Sequence, residues 1–241
     1  MLRSGNPALK GEIFSRTYSG AGGGTMTLQG TVNKTFILLL LAALSAGFVW
    51  SNPGAMMVFT MPALIVGLIL AVVPIFKKEW AGITAPFYAL VEGVVIGGVS
   101  YFFEAQYPGI VIKAVALTFG TLFCLLIAYR SGLIKATENF KLGVIAGTGA
   151  VAIFYFISLI LSFFGVRMTV IYGGGPVGIL FSLVVVTIAA LNLVLDFDFI
   201  ETGVERKAPG FLEWYCAFSL IVTLIWLYFE ILRLLSKLQR R

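Results

Sequence analysis

Four carboxylates in this chain stand where a charge is hard to keep. Glu92 lies within Phe87-Tyr88-Ala89-Leu90-Val91-Glu92-Gly93-Val94-Val95-Ile96-Gly97. Asp196 and Asp198 lie within Leu195-Asp196-Phe197-Asp198-Phe199-Ile200-Glu201, and Glu230 within Trp226-Leu227-Tyr228-Phe229-Glu230-Ile231-Leu232-Arg233. An ionisable group among such neighbours at membrane depth is costly unless it is paired, neutralised by a proton or hydrated, so each is a candidate for proton or cation chemistry.

Other chemistry is harder to build from these residues. The chain has no histidine, which excludes a His metal site, a His general base and a Ser-His-Asp triad. Its two cysteines, Cys124 and Cys216, sit in apolar runs without metal-ligand spacing and read as small buried hydrophobes. Gly173-Gly174-Gly175 lacks the Lys-Ser/Thr of a phosphate-cradling loop. The expectation is a protein that is not an enzyme and has no resident cofactor.

The elements that carry the carboxylates follow from composition. Of 241 residues, 59% are hydrophobic and 12% charged, and the mean hydropathy is +1.00. Soluble domains carry about 25% charged residues, so a lipid-solvated chain is the simplest reading. Seven stretches are long and apolar enough to cross a bilayer: 35–51, 56–76, 83–103, 110–129, 143–164, 176–200 and 214–235. Turn residues or charges separate them, as in Ser51-Asn52-Pro53-Gly54, Lys77-Lys78-Glu79 and Tyr107-Pro108-Gly109. Trp50, Trp80, Tyr107, Tyr129 and Trp214 fall near span ends, where an interfacial belt belongs. The expected fold is all-α, a polytopic bundle of about seven transmembrane helices over residues 35–241. Residues 1–34, glycine-rich and polar, read as a flexible tail with a short helix around Leu9 to Tyr18.

Loop charges set the expected orientation. With seven crossings, Arg3, Lys10, Arg16, Lys34, Lys77, Lys78, Arg130, Lys135, Lys141, Arg206 and Lys207 share one side. Lys113, Arg167, Arg233, Lys237, Arg240 and Arg241 share the other. The richer side, with the N-terminus, is expected to be cytoplasmic; the basic C-terminal tail then runs against the rule. The net charge of +6 is spread over loops and tails, which suits lipid headgroups and gives no nucleic-acid face.

Each carboxylate has two readings. Glu92 is either polar glue between helices or part of a pore. Asp198 and Glu201 are either solvated at a helix end or functional. Glu230 either pairs with Arg233 at i+3 or faces an ion path. Asp196 precedes the loop between spans six and seven, whereas Glu230 lies about sixteen residues into span seven. Straight helices hold the two roughly 15 Å apart along the membrane normal, so contact requires a broken span six. The glycine pairs Gly93-x-x-x-Gly97 and Gly143-x-x-x-Gly147 read as close helix packing.

Four elements, in order, resemble the Bax inhibitor-1/YccA family. Glu92-Gly93-x-x-x-Gly97 is similar to the family's Glu-Gly-x-x-x-Gly in its third span. Ala114 to Phe123 is similar to Ala-x-x-x-Thr-x-x-x-Phe in the fourth. Leu227 to Leu235 resembles the last span, with Glu230 where the family has Asp, and Asp196 takes the place of the Asp in an Asp-Thr-Gln element.

The resemblance implies a pH-sensitive leak for Ca²⁺. In it, carboxylates of spans six and seven, here Asp196 and Glu230, form a pair that holds a proton because two close carboxylates cannot both ionise cheaply. It further implies a basic latch at the end of span two, at Lys77 or Lys78, and Ca²⁺ contact at Asp196 and Glu230 through oxygen ligands. It also implies an interruption of span six near Asp196.

Three departures alter that picture. Phe197 and Asp198 replace Thr and Gln, Glu replaces Asp at 230, and a lysine latch lacks arginine's bidentate fork. A second expectation, from the YccA branch, is a regulator that binds a membrane AAA protease through its N-terminal segment. Compact loops fit a bacterial inner membrane.

Overall fold

The structure is a computed structural model, and it describes residues 24–165, 168 and 173–240. The helix expected at Leu9 to Tyr18, and the segment a protease would grip, lie outside the described residues. The described residues form seven long helices: α1 Leu28–Ser51, α2 Pro53–Phe76, α3 Ala81–Gln106, α4 Ile110–Arg130, α5 Glu138–Phe163, α6 Pro176–Glu205 and α7 Leu212–Gln239. A one-turn 3₁₀ helix, Lys78–Trp80, joins α2 to α3. All seven are long and apolar enough to span a membrane. The all-α, seven-helix expectation holds.

Two boundaries differ from expectation, each for a local reason. Helix α1 begins at Leu28 rather than 35, so Leu28 to Lys34 belong to the first span and not to the tail. Thr27 caps it, its Oγ1 accepting from Gly30 N at 2.9 Å. Lys34, which looked like a span boundary, is neutralised inside the helix by Glu213 of α7. Helix α6 runs unbroken for 30 residues, so the interruption near Asp196 is absent. A second helix supplies Asp196 with a hydrogen bond, and no unwinding is needed to satisfy it.

Helix α7 is the axis of the bundle and packs against α1, α3, α4 and α6. It is buried over most of its length, and its buried charged residues Glu213, Glu230 and Lys237 all have polar partners. Leu224, Leu227 and Ile231 of α7 lock with Ala189 and Leu193 of α6, while Ala217, Ile221 and Ile225 meet Leu38, Ala42, Ala85 and Ala89 of α1 and α3.

Lipid offers no hydrophobic drive between helices, so close approach and polar links hold them together. Gly93 and Gly97 are such contacts. A Cβ on Gly93 would stand 2.5 Å from Ala42 O, and one on Gly97 would stand 2.7 Å from Ala46 O. The second glycine pair behaves differently: Gly147 meets Ile188 of α6, but nothing lies within 4 Å of a Cβ on Gly143.

Helix α2 carries Pro62 and Pro74 in its interior, packs chiefly on α3 and leaves most of its surface to lipid. Helix α5 is peripheral and packs on α6. The ends sort as alternating crossings require. Lys34 of α1 meets Glu213 at the start of α7, and Lys237 at the end of α7 meets Gly178 and Ser182 at the start of α6. The described basic residues of the C-terminal tail therefore lie opposite Lys77 and Lys78.

Candidate functional site

Asp196 sits two-thirds of the way along α6 and points at α7. It is 9% exposed. The Ser219 hydroxyl donates to its Oδ1 at 2.6 Å, and Oδ2 is buried with no hydrogen-bond partner among the described residues. Thr223, one turn along α7, donates to the Ser219 carbonyl at 3.2 Å. Tyr215 and Cys216, one turn the other way, lie within electrostatic range. A carboxylate normally accepts several hydrogen bonds. Here one oxygen is served and the other is buried without a partner among the described residues.

Glu230 lies deeper on α7 and is fully satisfied. It accepts from Tyr155 Oη of α5 at 3.0 and 3.1 Å, from Trp226 Nε1 at 3.3 Å and from Arg233 Nη1 at 3.0 Å. Arg233 also donates to Tyr155 Oη and lies 5.0 Å from the centre of that ring. The arrangement is a closed ion pair, the i+3 reading of the sequence, although Glu230 points inward and is 2% exposed.

The pair implied by the resemblance is not formed. Ser219, the partner of Asp196, precedes Glu230 by eleven positions on α7, or about 16 Å of helix. Calcium–oxygen bonds are roughly 2.3–2.6 Å, so one ion cannot touch both carboxylates in this conformation. Among the described residues no cluster of three or more Asp, Glu or Cys is arranged to hold a metal.

The remaining candidates are scattered. Glu92 is half-buried at mid-membrane between α3 and α2, where Gly67 leaves room for it. A Cβ at Gly67 would stand 2.9 Å from Glu92 Oε1. Tyr88, one turn earlier, offers its hydroxyl to Glu92. Asp198 pairs with Lys141 of α5 at 2.6 Å. Glu201 accepts from Tyr129 of α4.

Neither lysine at the end of α2 forms an ion pair among the described residues. Lys77 Nζ stands 4.4 Å from the Trp80 ring centre, and Lys78 Nζ stands 5.1 Å from that of Tyr215. Lys78 therefore reaches the neighbourhood of Asp196 through an aromatic ring on α7, without touching the carboxylate.

Residues 6–240 match the family described as Bax inhibitor 1 like. The chain belongs to that family. Seven membrane-length helices in a Bax inhibitor 1 like chain make this an integral membrane protein. No individually curated protein matches it.

Sequence reasoning missed two polar clusters. At the start of α7, Glu213 accepts from Thr27 N at 2.7 Å, from Thr27 Oγ1 at 2.8 Å and from Lys34. Met26 N donates to Ala208 O at 2.7 Å, which fastens the segment before α1 to the α6–α7 loop. At the far end Lys237, 2% exposed, donates to Gly178 O at 2.9 Å and Ser182 Oγ at 2.8 Å. Each joins residues far apart in the chain. Nothing near Lys34 or Lys237 in the sequence signals these contacts, since both stand in polar flanks of the apolar runs.

Proposed function

We propose that the protein is a cation leak of the Bax inhibitor-1 type, carrying Ca²⁺ and gated by protonation of Asp196. The observation that carries this reading is the carboxylate itself, buried between α6 and α7 with a single hydrogen bond and one oxygen unpartnered. Ionised, that group pulls water or a cation towards the α6–α7 seam; protonated, it is compatible with apolar packing. Glu230, held by Tyr155, Trp226 and Arg233, acts in this reading as a fixed brace.

In this reading the conformation is the closed one. Between the level of Asp196 and that of Lys237, Val185, Ala189 and Leu193 of α6 are all fully buried, and Leu224, Leu227 and Ile231 of α7 pack on this seam. A change of charge at Asp196 acts first on α7, where Ser219, Thr223, Tyr215 and Cys216 face it. Tyr215 carries the Lys78 ammonium, so a shift of α7 loosens the turn at the end of α2, a helix that packs chiefly on α3. This ring contact takes the place of the latch that the family resemblance implies. The side bearing Lys77 and Lys78 is taken as the cytoplasmic face of a bacterial inner membrane.

Calcium flux into proteoliposomes across a pH series tests the proposal. The expected result is flux that depends on pH in the native protein and loses that dependence in Asp196→Asn. Flux equal to that of protein-free vesicles at every pH would refute it. A regulator of a membrane AAA protease would then be the better account.

A further inference from the structure

Helices α1 and α4 stand apart, and the space between them runs most of the way across the membrane. A cavity of about 1240 Å³ occupies the half towards the N-terminal end of α1, and one of about 340 Å³ the other half. They share Leu39, Ala43 and Phe119, and α7 floors both through Leu220, Leu224 and Tyr228. The larger exceeds the roughly 300–1,000 Å³ usual for small-molecule sites. Interiors pack closely and apolar hollows exclude water, so the apolar depth of a gap this size has room for hydrocarbon chains.

The mouth of the larger cavity is not apolar. Arg130 and Lys135 line it from the end of α4 and the loop after it, and Glu201 and Glu205 line it from α6. Among the described residues neither Arg130 nor Lys135 has an ion-pair partner, and both are exposed. Cations and carboxylates therefore face one another across a single opening above an apolar slot. From Thr31 at the mouth to Ala43, where the cavities join, α1 rises about 18 Å, slightly more than half of a roughly 30 Å hydrocarbon core.

We propose that this groove holds one phospholipid of the phosphatidylethanolamine class, drawn from the leaflet on the N-terminal side. Its phosphate meets Arg130 and Lys135, for which a guanidinium fork and an ammonium are suited. Its primary ammonium, with three N–H donors, meets Glu201 and Glu205. Its chains descend between Phe36 and Leu40 of α1 and Phe123 and Leu126 of α4, and one chain end enters the narrower cavity past Ala43. Phosphatidylcholine carries the same phosphate without N–H donors, and phosphatidylglycerol carries no cation. The mixed charge of the mouth selects against both. This proposal is independent of the leak reading and stands or falls without it.

Native mass spectrometry of the full-length protein in mild detergent, titrated with each of the three lipids, provides the test. One phosphatidylethanolamine per chain is expected, retained about tenfold better than the other two, equivalent to a single good charge-assisted contact. Glu201→Gln with Glu205→Gln should abolish the preference over phosphatidylcholine while leaving phosphatidylcholine binding intact. Arg130→Gln with Lys135→Gln should weaken both. Ala43→Trp should obstruct the slot and lower retention of all three; if it fails to fold, as judged by helicity and elution, the two glutamine pairs decide the matter. Equal retention of the three lipids, preference for phosphatidylglycerol, or no retained phospholipid would each overturn the proposal.

Discussion

Neutralising the two buried carboxylates of α6 and α7 should have unequal consequences for stability. Glu230→Gln leaves Arg233 without its anion and puts an amide donor beside Trp226 Nε1 and Arg233 Nη1, both already donors to Glu230. Breaking a fully buried pair costs about 3–5 kcal/mol. The Arg233 side chain is 33% exposed and can reach headgroups, which reduces the figure. A loss of about 2 kcal/mol follows.

Asp196→Asn keeps an acceptor for the Ser219 hydroxyl and removes a charge that has no counter-ion. Against that gain stands an amide donor buried where Oδ2 had no partner, a penalty of about 1–3 kcal/mol. The two effects offset, and the net change should be under about 1 kcal/mol. Reversible unfolding in mild detergent, titrated with a denaturing detergent and followed by circular dichroism, measures both. An Asp196→Asn loss as large as that of Glu230→Gln would refute the assignment of one carboxylate as unpartnered and the other as braced.

Further predictions concern the joints of the bundle. Gly93→Ala must push α1 away from α3, because its Cβ would meet backbone at 2.5 Å; a loss of about 1–3 kcal/mol is expected. Gly143→Ala, with open space, should be neutral or slightly stabilising in the same unfolding assay. Glu213→Gln removes the counter-charge of Lys34 and weakens the bonds from Thr27, so hydrogen exchange should rise in residues 25–34 ahead of the rest of α1. Lys237→Met withdraws two donors from the start of α6, at about 1–3 kcal/mol, and should raise exchange near Gly178 and Ser182 without affecting the opposite end.

Much of the architecture was legible because charges and turn residues punctuate the apolar runs, and the family resemblance rested on segments that the helices do contain. Gly93 and Gly97 announced close packing by their spacing. What stayed hidden depends on partners far away in the chain. Lys34 looked like the edge of a span because nothing near it in sequence reveals Glu213. A broken span six was expected because a pair between Asp196 and Glu230 needs one, whereas Asp196 bonds Ser219 from a continuous helix. Glu230 and Arg233 were a readable i+3 pair, but Tyr155, which closes the cluster from α5, was not. The latch expected at Lys77 or Lys78 became an aromatic contact because the ring of Tyr215, rather than a carboxylate, lies within reach of Lys78.

In the proposed leak, the proton on Asp196 and the open state form one equilibrium. Infrared difference spectroscopy of the protein in lipid, taken through the pH series used for calcium flux, measures it most directly. A protonated-carboxyl band is expected that is absent in Asp196→Asn and preserved in Glu230→Gln, with a midpoint coinciding with that of the flux. A band that survives in Asp196→Asn, or a flux midpoint that does not follow the band, would contradict it.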